Sequence, residues 1–332
     1  DSLSGSPTVS AVSKRLAFSR EQWDDLSMGI RLIVLGLFAL VSPLLGAGFS
    51  AVRLGEIDDA IEQAITDARA PGGVFYLERE GEVYEKAYGS RALVPDLEKM
   101  TVNTIFDAAS LTKVVATTPA VMKLVEAGKL ELDVPVSRYL PEFIGLGKEL
   151  ITIRELMTHT SGLRAGLSIP GDWSGKATAY EAACAEPLHG EAGEVYRYSD
   201  INFILLGLLV EKISGESLDQ FCEREIFAPL GMTDCHFRPV AELELGKLDR
   251  IAPTTEMADG NVLRGLVHDP TSRRMGGVAG HAGLFLTTRD LARYARMLLG
   301  GGQLEEKRIF REETIKLMTS VQSPAGLPRR GL

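Results

Sequence analysis

The chain has 332 residues, of which 45% are hydrophobic and 24% are charged, and its formal net charge is −9. This composition excludes a disordered chain, and the negative charge argues against a nucleic-acid-binding surface. The three cysteines (Cys184, Cys222 and Cys235) are too few for a disulfide framework, and no Cys or His spacing indicates a metal site. We therefore expect free or buried cysteines and no metal or cofactor.

The N-terminal region contains an apolar run, residues 32–52, that carries no charge. Met28 and Arg31 precede this run and small residues end it, a pattern typical of a signal peptide. We expect residues 28–52 to be a signal peptide and residues 1–27 to be a non-native or disordered leader. If the leader is translated, the run becomes a signal anchor that holds the protein at the membrane. Both alternatives predict export to the periplasm or the extracellular space.

The first elements after this segment have clear periodicities. Residues 56–70 repeat apolar side chains at helical spacing and end at Pro71. Residues 74–80 and 82–88 flank Gly81 and predict a β-hairpin. An apolar helix is then expected from Ser110 to about Glu126. A two-stranded hairpin is not stable alone, so further strands must lie in irregular segments or beyond this chain.

The second half is predicted to be mostly helical. Thr152 and Glu155 form a capping box that opens a short helix. The remaining expectations, in chain order, are a long loop at 163–195, a helix opened by residues 198–200, a helix at 218–227, an irregular segment at 232–275, a helix at 289–299 capped by Thr288, and a helix at about 311–320.

Ser110 and Lys113 form the only S-x-x-K pattern of the chain, at the start of a predicted helix. Residues three apart on a helix share one face, so the hydroxyl and the ammonium can point into the same space. A serine beside an amine is one arrangement of an activated nucleophile. Tyr198 lies at the start of another apolar helix.

Together, several motifs resemble the serine β-lactamase-related family, which includes class C β-lactamases, D-alanyl-D-alanine carboxypeptidases and lactamase-fold esterases. The resemblance covers about residues 56–332. The motifs that carry it are Pro71-Gly72-Gly73, Thr104 to Ser110, Ser110-Leu-Thr-Lys113, Leu156-Met-Thr-His-Thr-Ser-Gly162, Tyr198-Ser199-Asp200 with the following residues to Gly207, and Gly276 to Phe285.

The resemblance implies a catalytic role for three residues. Ser110 would be the acylated nucleophile, Lys113 would ease loss of its proton, and Tyr198 would act as general base and acid. The backbone N–H of Ser110 would form half of an oxyanion hole. No cofactor or metal is implied, and the substrate would be a small ester, an amide or a peptidoglycan-like molecule.

The chain departs from the family pattern at two places. Asp200 stands where the family usually has Asn, and a carboxylate cannot donate a hydrogen bond to a substrate carbonyl. This favours an esterase over a β-lactamase, with plain helix capping by Asp200 as the alternative. The third family motif, on a C-terminal strand, is interpreted as absent, with His281 and Gly283 as a weaker substitute. Residues 284–288 are expected to lead directly into a helix and to be too short for a central strand with a returning hairpin.

The remaining histidines have structural interpretations. We expect His159 to be a core or turn residue, and the pair His268-Asp269, like His281, to have loop roles. The apolar residues at 204–213 are expected to be core.

These observations predict an α+β, β-lactamase/transpeptidase-like fold in residues 56–332: an antiparallel sheet flanked by helices, a helical subdomain that carries Tyr198, and C-terminal strands missing. The predicted function is an exported serine hydrolase that cleaves an ester or amide through Ser110, with esterase activity favoured. A D-alanyl-D-alanine carboxypeptidase or a β-lactamase is the alternative. An inactive protein that binds cell-wall fragments is the alternative from another class, and the incomplete third motif favours low activity of this chain itself.

Overall fold

The computed structural model describes residues 48–237 and 248–332. The predicted leader 1–27 and most of the predicted signal segment 28–52 lie outside the described residues. The chain divides into Asp1–Gly55 and Glu56–Leu332, and the site lies in the second part. Within the described ranges, no helix is both long and apolar enough to cross a bilayer.

The predicted hairpin is confirmed and is longer than expected. Strands β1 (Gly72–Arg79) and β2 (Glu82–Ala92) pair antiparallel, and β3 (Glu98–Lys99) adds a third strand beside β2. Helix α1 (Ala51–Thr66) begins and ends earlier than the sequence pattern suggested. Asp58 on this helix accepts hydrogen bonds from Lys86, Tyr84 and Tyr88 on β2. Chiefly through the Lys86 bond, these contacts lower the pKa of Asp58 to about 2.

A second sheet has the order β4-β6-β5 and positions the functional residues. Its strands are β4 (Phe106–Asp107), β5 (His236–Phe237) and β6 (Leu284–Leu286). Residues 284–286 form a short strand that pairs with neighbours on both edges, and the chain then leads directly into a helix that begins at Thr288, without a returning hairpin, as predicted. All three β6 side chains are buried, so this short strand is held by long-range pairing and burial.

Helices cover these sheets and build the core. The apolar face of the helix after Tyr198 is buried, as predicted, with Ile204, Leu205 and Leu209 fully inside. The described helices are α2 (Thr118–Glu126), α3 (Ile153–Met157), α4 (Lys176–Ala185), α5 (Asp200–Ser214), α6 (Leu218–Cys222), α7 (Ala228–Leu230), α8 (Pro270–Arg274), α9 (Thr288–Leu299) and α10 (Glu312–Thr319); a two-stranded ribbon, β7 (Gln303–Leu304) and β8 (Lys307–Arg308), lies between the last two.

Three predictions of local structure need correction. The expected loop at 163–195 contains α4, because an Ala-rich segment with high helix propensity follows Gly175. The irregular segment at 232–275 contains β5 and α8, and Asp269 caps α8. Helix α9 is capped by Thr287 and not by Thr288, in a reciprocal capping box with Asp290.

Candidate active site

Ser110 lies immediately beyond β4, in a tight turn held by a carboxylate. The Asp107 carboxylate accepts hydrogen bonds from the backbone N–H of Ala109 and from that of His268, both at 2.8 Å. Ala109 has a φ of +45°, in the left-handed region that L-residues rarely adopt. Such backbone strain persists only where surrounding contacts hold it, and here the turn presents an exposed Ser110 at the start of the following helix.

The first turn of that helix is π-helical, which the sequence did not predict. Residues Lys113–Thr117 form the wider turn, and the N–H of Thr118 donates to the carbonyl of Lys113. π-Helical turns are rare and often occur at functional sites. Within this turn the Lys113 side chain is buried, and its Nζ lies 3.1 Å from Ser110 Oγ.

The Lys113 ammonium is held by three acceptors. Its Nζ contacts Ser110 Oγ, the carbonyl oxygen of His281 at 3.0 Å and Asp200 Oδ1 at 2.8 Å. An ammonium has three N–H donors, so each donor has an acceptor. A buried cation is costly unless it is paired and hydrogen-bonded, and these contacts satisfy that requirement.

Asp200 is an ion-pair partner and not the helix cap. The cap of α5 is Ser199, whose Oγ accepts from the N–H of Asn202 and donates to the carbonyl of Arg164. The capping alternative for Asp200 is therefore wrong. The sequence did not indicate its ion pair with Lys113, because the two residues lie far apart in the chain.

His159 contacts Tyr198 and the residues on either side of it in the chain. The His159 carbonyl accepts from the N–H of Arg197, and His159 Nδ1 accepts from the N–H of Ser199 at 3.1 Å. The His159 ring packs against the Tyr198 ring at a centroid distance of 4.5 Å. His159 thus contacts Tyr198 and both of its chain neighbours, which fits the predicted structural role.

The Tyr198 ring also lies beside the ammonium of Lys113. The distance from Nζ to the ring centroid is 4.8 Å, and Tyr198 is 41% exposed. A cation at this distance from a tyrosine ring is attracted to its π-face. The arrangement keeps Tyr198, Lys113 and Ser110 on the walls of one cleft.

Burial, reinforced by the positive charges of Lys113 and Arg330, lowers the pKa of His159 to about 3. The ring is therefore neutral at neutral pH, which leaves Nδ1 free to accept from Ser199. Between about pH 6.5, the ordinary value, and pH 3 the unfolded chain binds a proton here that the folded chain does not. His159 consequently lowers stability as the pH falls through this window, and has no such effect above it.

The glycine-rich segment 276–285 contacts the helical turn that carries Lys113. The carbonyl of Gly280 accepts from Thr117 Oγ1, and the carbonyl of His281 accepts from Lys113. A Cβ added at Gly280 would lie 2.0 Å from the carbonyl oxygen of Phe203. Only glycine therefore fits where this segment passes between the helices that carry Lys113 and Phe203.

His281 and Gly283 contribute through backbone geometry. The His281 ring is 1% exposed, and its Nε2 contacts Asp269 Oδ1 at 2.9 Å. Burial raises the pKa of Asp269, but the hydrogen bond from His281 is among the contacts that bring it below its usual range. Gly283 has a φ of +123° and leads into β6. The His281 backbone carbonyl thus accepts from Lys113, whereas the His281 ring contacts Asp269, the residue that caps α8.

Ser110 opens onto a cavity of about 470 Å³. The cavity walls include Lys113, His159, Tyr198, Phe203 and residues 328–332. Among the described residues, the backbone N–H of Ser110 has no protein acceptor, so it is available to a developing oxyanion. In the same part of the chain, no group of three or more His, Cys, Asp or Glu side chains is placed to hold a metal ion.

This geometry agrees with comparisons to known proteins. The profile of the Beta-lactamase family matches residues 57–332. The chain belongs to the β-lactamase family. The predicted family is therefore confirmed, and the chain is a β-lactamase-family serine hydrolase. The structural neighbours confirm the predicted β-lactamase/transpeptidase-like arrangement of helices and antiparallel sheets.

Individual relatives support the assignment. A protein of Escherichia coli (strain K12) named putative D-alanyl-D-alanine carboxypeptidase is 32% identical over 308 residues, covering 82% of this chain and 70% of the relative. A class C β-lactamase structure has a TM-score of 0.66 at 25% identity, covering 83% of this chain and 72% of that one. An octameric penicillin-binding protein homologue from Pyrococcus abyssi has a TM-score of 0.64 at 27% identity, covering 81% of this chain and 60% of that one.

In this β-lactamase-family site, we expect His159 to act as a positioning residue for Tyr198. His159→Asn should lower kcat about tenfold with a smaller change in KM, because asparagine tolerates the left-handed backbone and keeps an acceptor for Ser199 but lacks the ring. The variant should also lose part of the acid sensitivity of folding below pH 6.5. Steady-state kinetics and denaturant unfolding from pH 4 to 8 measure both effects.

The matched control is His189→Asn, at a partly exposed histidine that pairs with Glu186. This control should leave kcat unchanged. A wild-type kcat in His159→Asn would show that ring packing does not position Tyr198.

Proposed function

We propose that this protein hydrolyses a carboxylic ester or amide through an acyl-enzyme on Ser110, with esters favoured. The observation that carries the proposal is the 3.1 Å contact between Lys113 Nζ and the hydroxyl of an exposed Ser110. In this contact Lys113 donates to Ser110, which would stabilise negative charge on Oγ as it attacks. Asp200 supports ester substrates, because it offers no donor to the side-chain carbonyl of an amide substrate.

The reaction would have two stages. First, Ser110 Oγ bonds to the acyl carbon while the side-chain oxygen of Tyr198, as general base, takes the Oγ proton, and the carbonyl electrons move onto the oxyanion beside the Ser110 N–H. The bond to the leaving group breaks as Tyr198 returns the proton to it. In the second stage water adds to the acyl carbon and gives a proton to Tyr198. The bond between that carbon and Ser110 Oγ then breaks, Tyr198 returns the proton to Oγ, and the acid is released.

A second candidate is a D-alanyl-D-alanine carboxypeptidase. The 32% identity to the relative with that name favours it, and such an enzyme would act on peptidoglycan-like substrates. Both candidates use the same Ser110 chemistry and differ in the leaving group. We also propose an exported location, supported by the apolar run at 32–52 and Arg31 before it, with membrane anchoring if the run is not cleaved.

The experiment combines covalent labelling with a substrate comparison. A fluorophosphonate probe should form one adduct, located on the Ser110 peptide by mass spectrometry. Hydrolysis rates for a p-nitrophenyl ester, a D-Ala-D-Ala peptide and a chromogenic cephalosporin then rank the three activities, and we expect the ester to be fastest. A cell-impermeant probe should label the protein on intact cells if it is exported.

Each outcome decides one part of the proposal. A faster peptide reaction would replace the esterase proposal with the carboxypeptidase. Labelling only after the inner membrane is broken would contradict export. Absence of any adduct or turnover would favour an inactive binding protein for cell-wall fragments.

A further inference from the structure

The π-helical turn Lys113–Thr117 leaves the backbone carbonyl of Val114 without its usual helical donor. In an α-helix this carbonyl would accept from the N–H of Thr118, four residues later. Here the N–H of Thr118 donates to the carbonyl of Lys113 instead. In a π-helix the donor would be the residue five positions later, which is Pro119, and proline has no N–H. The helix itself therefore has no donor for the Val114 carbonyl.

The same proline explains why the turn is wide. A proline ring inside an α-helix clashes with the carbonyl four residues earlier, which for Pro119 is the carbonyl of Val115. A π-helical turn relieves this clash, because it breaks the regular spacing of four. In the part of the chain that the structure describes, a second π-helical turn, Glu223–Phe227, also has a proline, Pro229, as the second residue after it. The repeated spacing indicates that proline sets the geometry.

Tyr294 supplies a donor to the Val114 carbonyl from a distant element. Its hydroxyl donates to that carbonyl at 2.7 Å, and the side chain is buried on α9. Burial raises the pKa of Tyr294, so the hydroxyl keeps the proton that it donates. Tyr294 is not among the residues that line the cavity at Ser110, so its effect on the chemistry must pass through the turn.

We propose that Tyr294 is a positioning residue that maintains the π-helical turn and, through it, the place of Lys113 beside Ser110. This inference rests on the proposed function, because it concerns the same nucleophile. A π-helical turn adds one residue to an α-helical path, which rotates the residues before it by about 100° relative to those after it. Relaxation of the turn would therefore carry Lys113 away from its acceptors on other elements, the His281 carbonyl and Asp200.

Loss of the Tyr294 hydroxyl should slow the reaction of Ser110 without preventing it. Tyr294→Phe keeps the ring in the core and removes the donor to the Val114 carbonyl. Displacement of a catalytic group by about 1 Å can cost about 100-fold in rate. We expect kcat for a p-nitrophenyl ester and the rate constant of fluorophosphonate labelling to fall by about tenfold, with a smaller change in KM.

Fluorophosphonate labelling separates reactivity from folding. The final amount of adduct per mole of protein counts the folded molecules, whereas the rate constant measures the reactivity of Ser110 within those molecules. The matched control is Tyr180→Phe, which removes a phenol that donates to Glu211 at 3.0 Å and joins α4 to α5. This control should lose a similar amount of stability in denaturant unfolding and keep the wild-type rate constant.

Each result decides the role of Tyr294. A full amount of adduct that forms about tenfold more slowly in Tyr294→Phe alone would support the proposal. A wild-type rate constant in this variant, with a full or a reduced amount of adduct, would overturn the role and leave the hydrolase intact. Equal slowing in Tyr180→Phe would also overturn it, because the effect would then follow general loosening of the helices. No adduct and no ester hydrolysis in the wild type would overturn both proposals.

Discussion

Ser110→Ala should lower kcat/KM by at least about 10⁴-fold and abolish the covalent adduct, while the folded structure is retained. Ser110 is exposed, and its hydroxyl accepts one hydrogen bond, from Lys113. Water can replace that acceptor at the cavity surface, so the buried ammonium keeps a partner. The chemical step, by contrast, has no alternative nucleophile at the same position.

Three measurements check this expectation. Probe labelling and ester hydrolysis report the chemistry, and the melting temperature reports the fold. Ser174→Ala, at an exposed serine distant in sequence, is the control and should match the wild type in all three. A Ser110→Ala protein that still forms a stoichiometric adduct would assign the nucleophile elsewhere.

Gly280→Ala should have the largest effect on stability. The added methyl group would lie 2.0 Å from the Phe203 carbonyl oxygen and 3.1 Å from the Gly207 nitrogen. These neighbours are backbone atoms of α5, so they cannot move aside as a flexible side chain would. We expect a loss of at least about 2 kcal/mol in the free energy of unfolding.

The same substitution should reduce activity. The carbonyl that follows Gly280 holds Lys113, and displacement by about 1 Å at a catalytic group can cost about 100-fold in rate. Denaturant unfolding and kcat/KM measure the two effects. The control Gly166→Ala introduces a methyl into open space at an ordinary backbone conformation and should change stability by less than about 0.5 kcal/mol. Equal denaturant midpoints of unfolding for Gly280→Ala and Gly166→Ala would contradict the predicted clash.

The parts of the fold that could be predicted from the sequence are those with local signals. The β1–β2 hairpin has alternating strands around Gly81, and the α3 capping box is complete within four residues. Strands β4, β5 and β6 have two or three residues each, too short for any periodicity. They exist because residues far apart in sequence pair with them, which no local pattern reveals.

In the site too, contacts between residues close in sequence could be predicted, whereas contacts between separate elements could not. Ser110 and Lys113 are three residues apart, so helical geometry alone brought them together in the prediction. The ion pair of Asp200 and the ring contact between His159 and Tyr198 depend on how separate helices pack. The sequence predicts His159 as a core or turn residue, but its contacts with Tyr198 and Ser199 are seen only in the folded chain.

The three acceptors around Lys113 also relate the chemistry to the fold. Ser110 is local, whereas the His281 carbonyl lies 168 residues further along the chain and Asp200 belongs to a separate helix. Without these distant segments, burial of the Lys113 ammonium is strongly unfavourable, because the buried charge would have no acceptors. The surroundings that the proposed chemistry requires at Ser110 are therefore complete only when segments far apart in the chain have packed together.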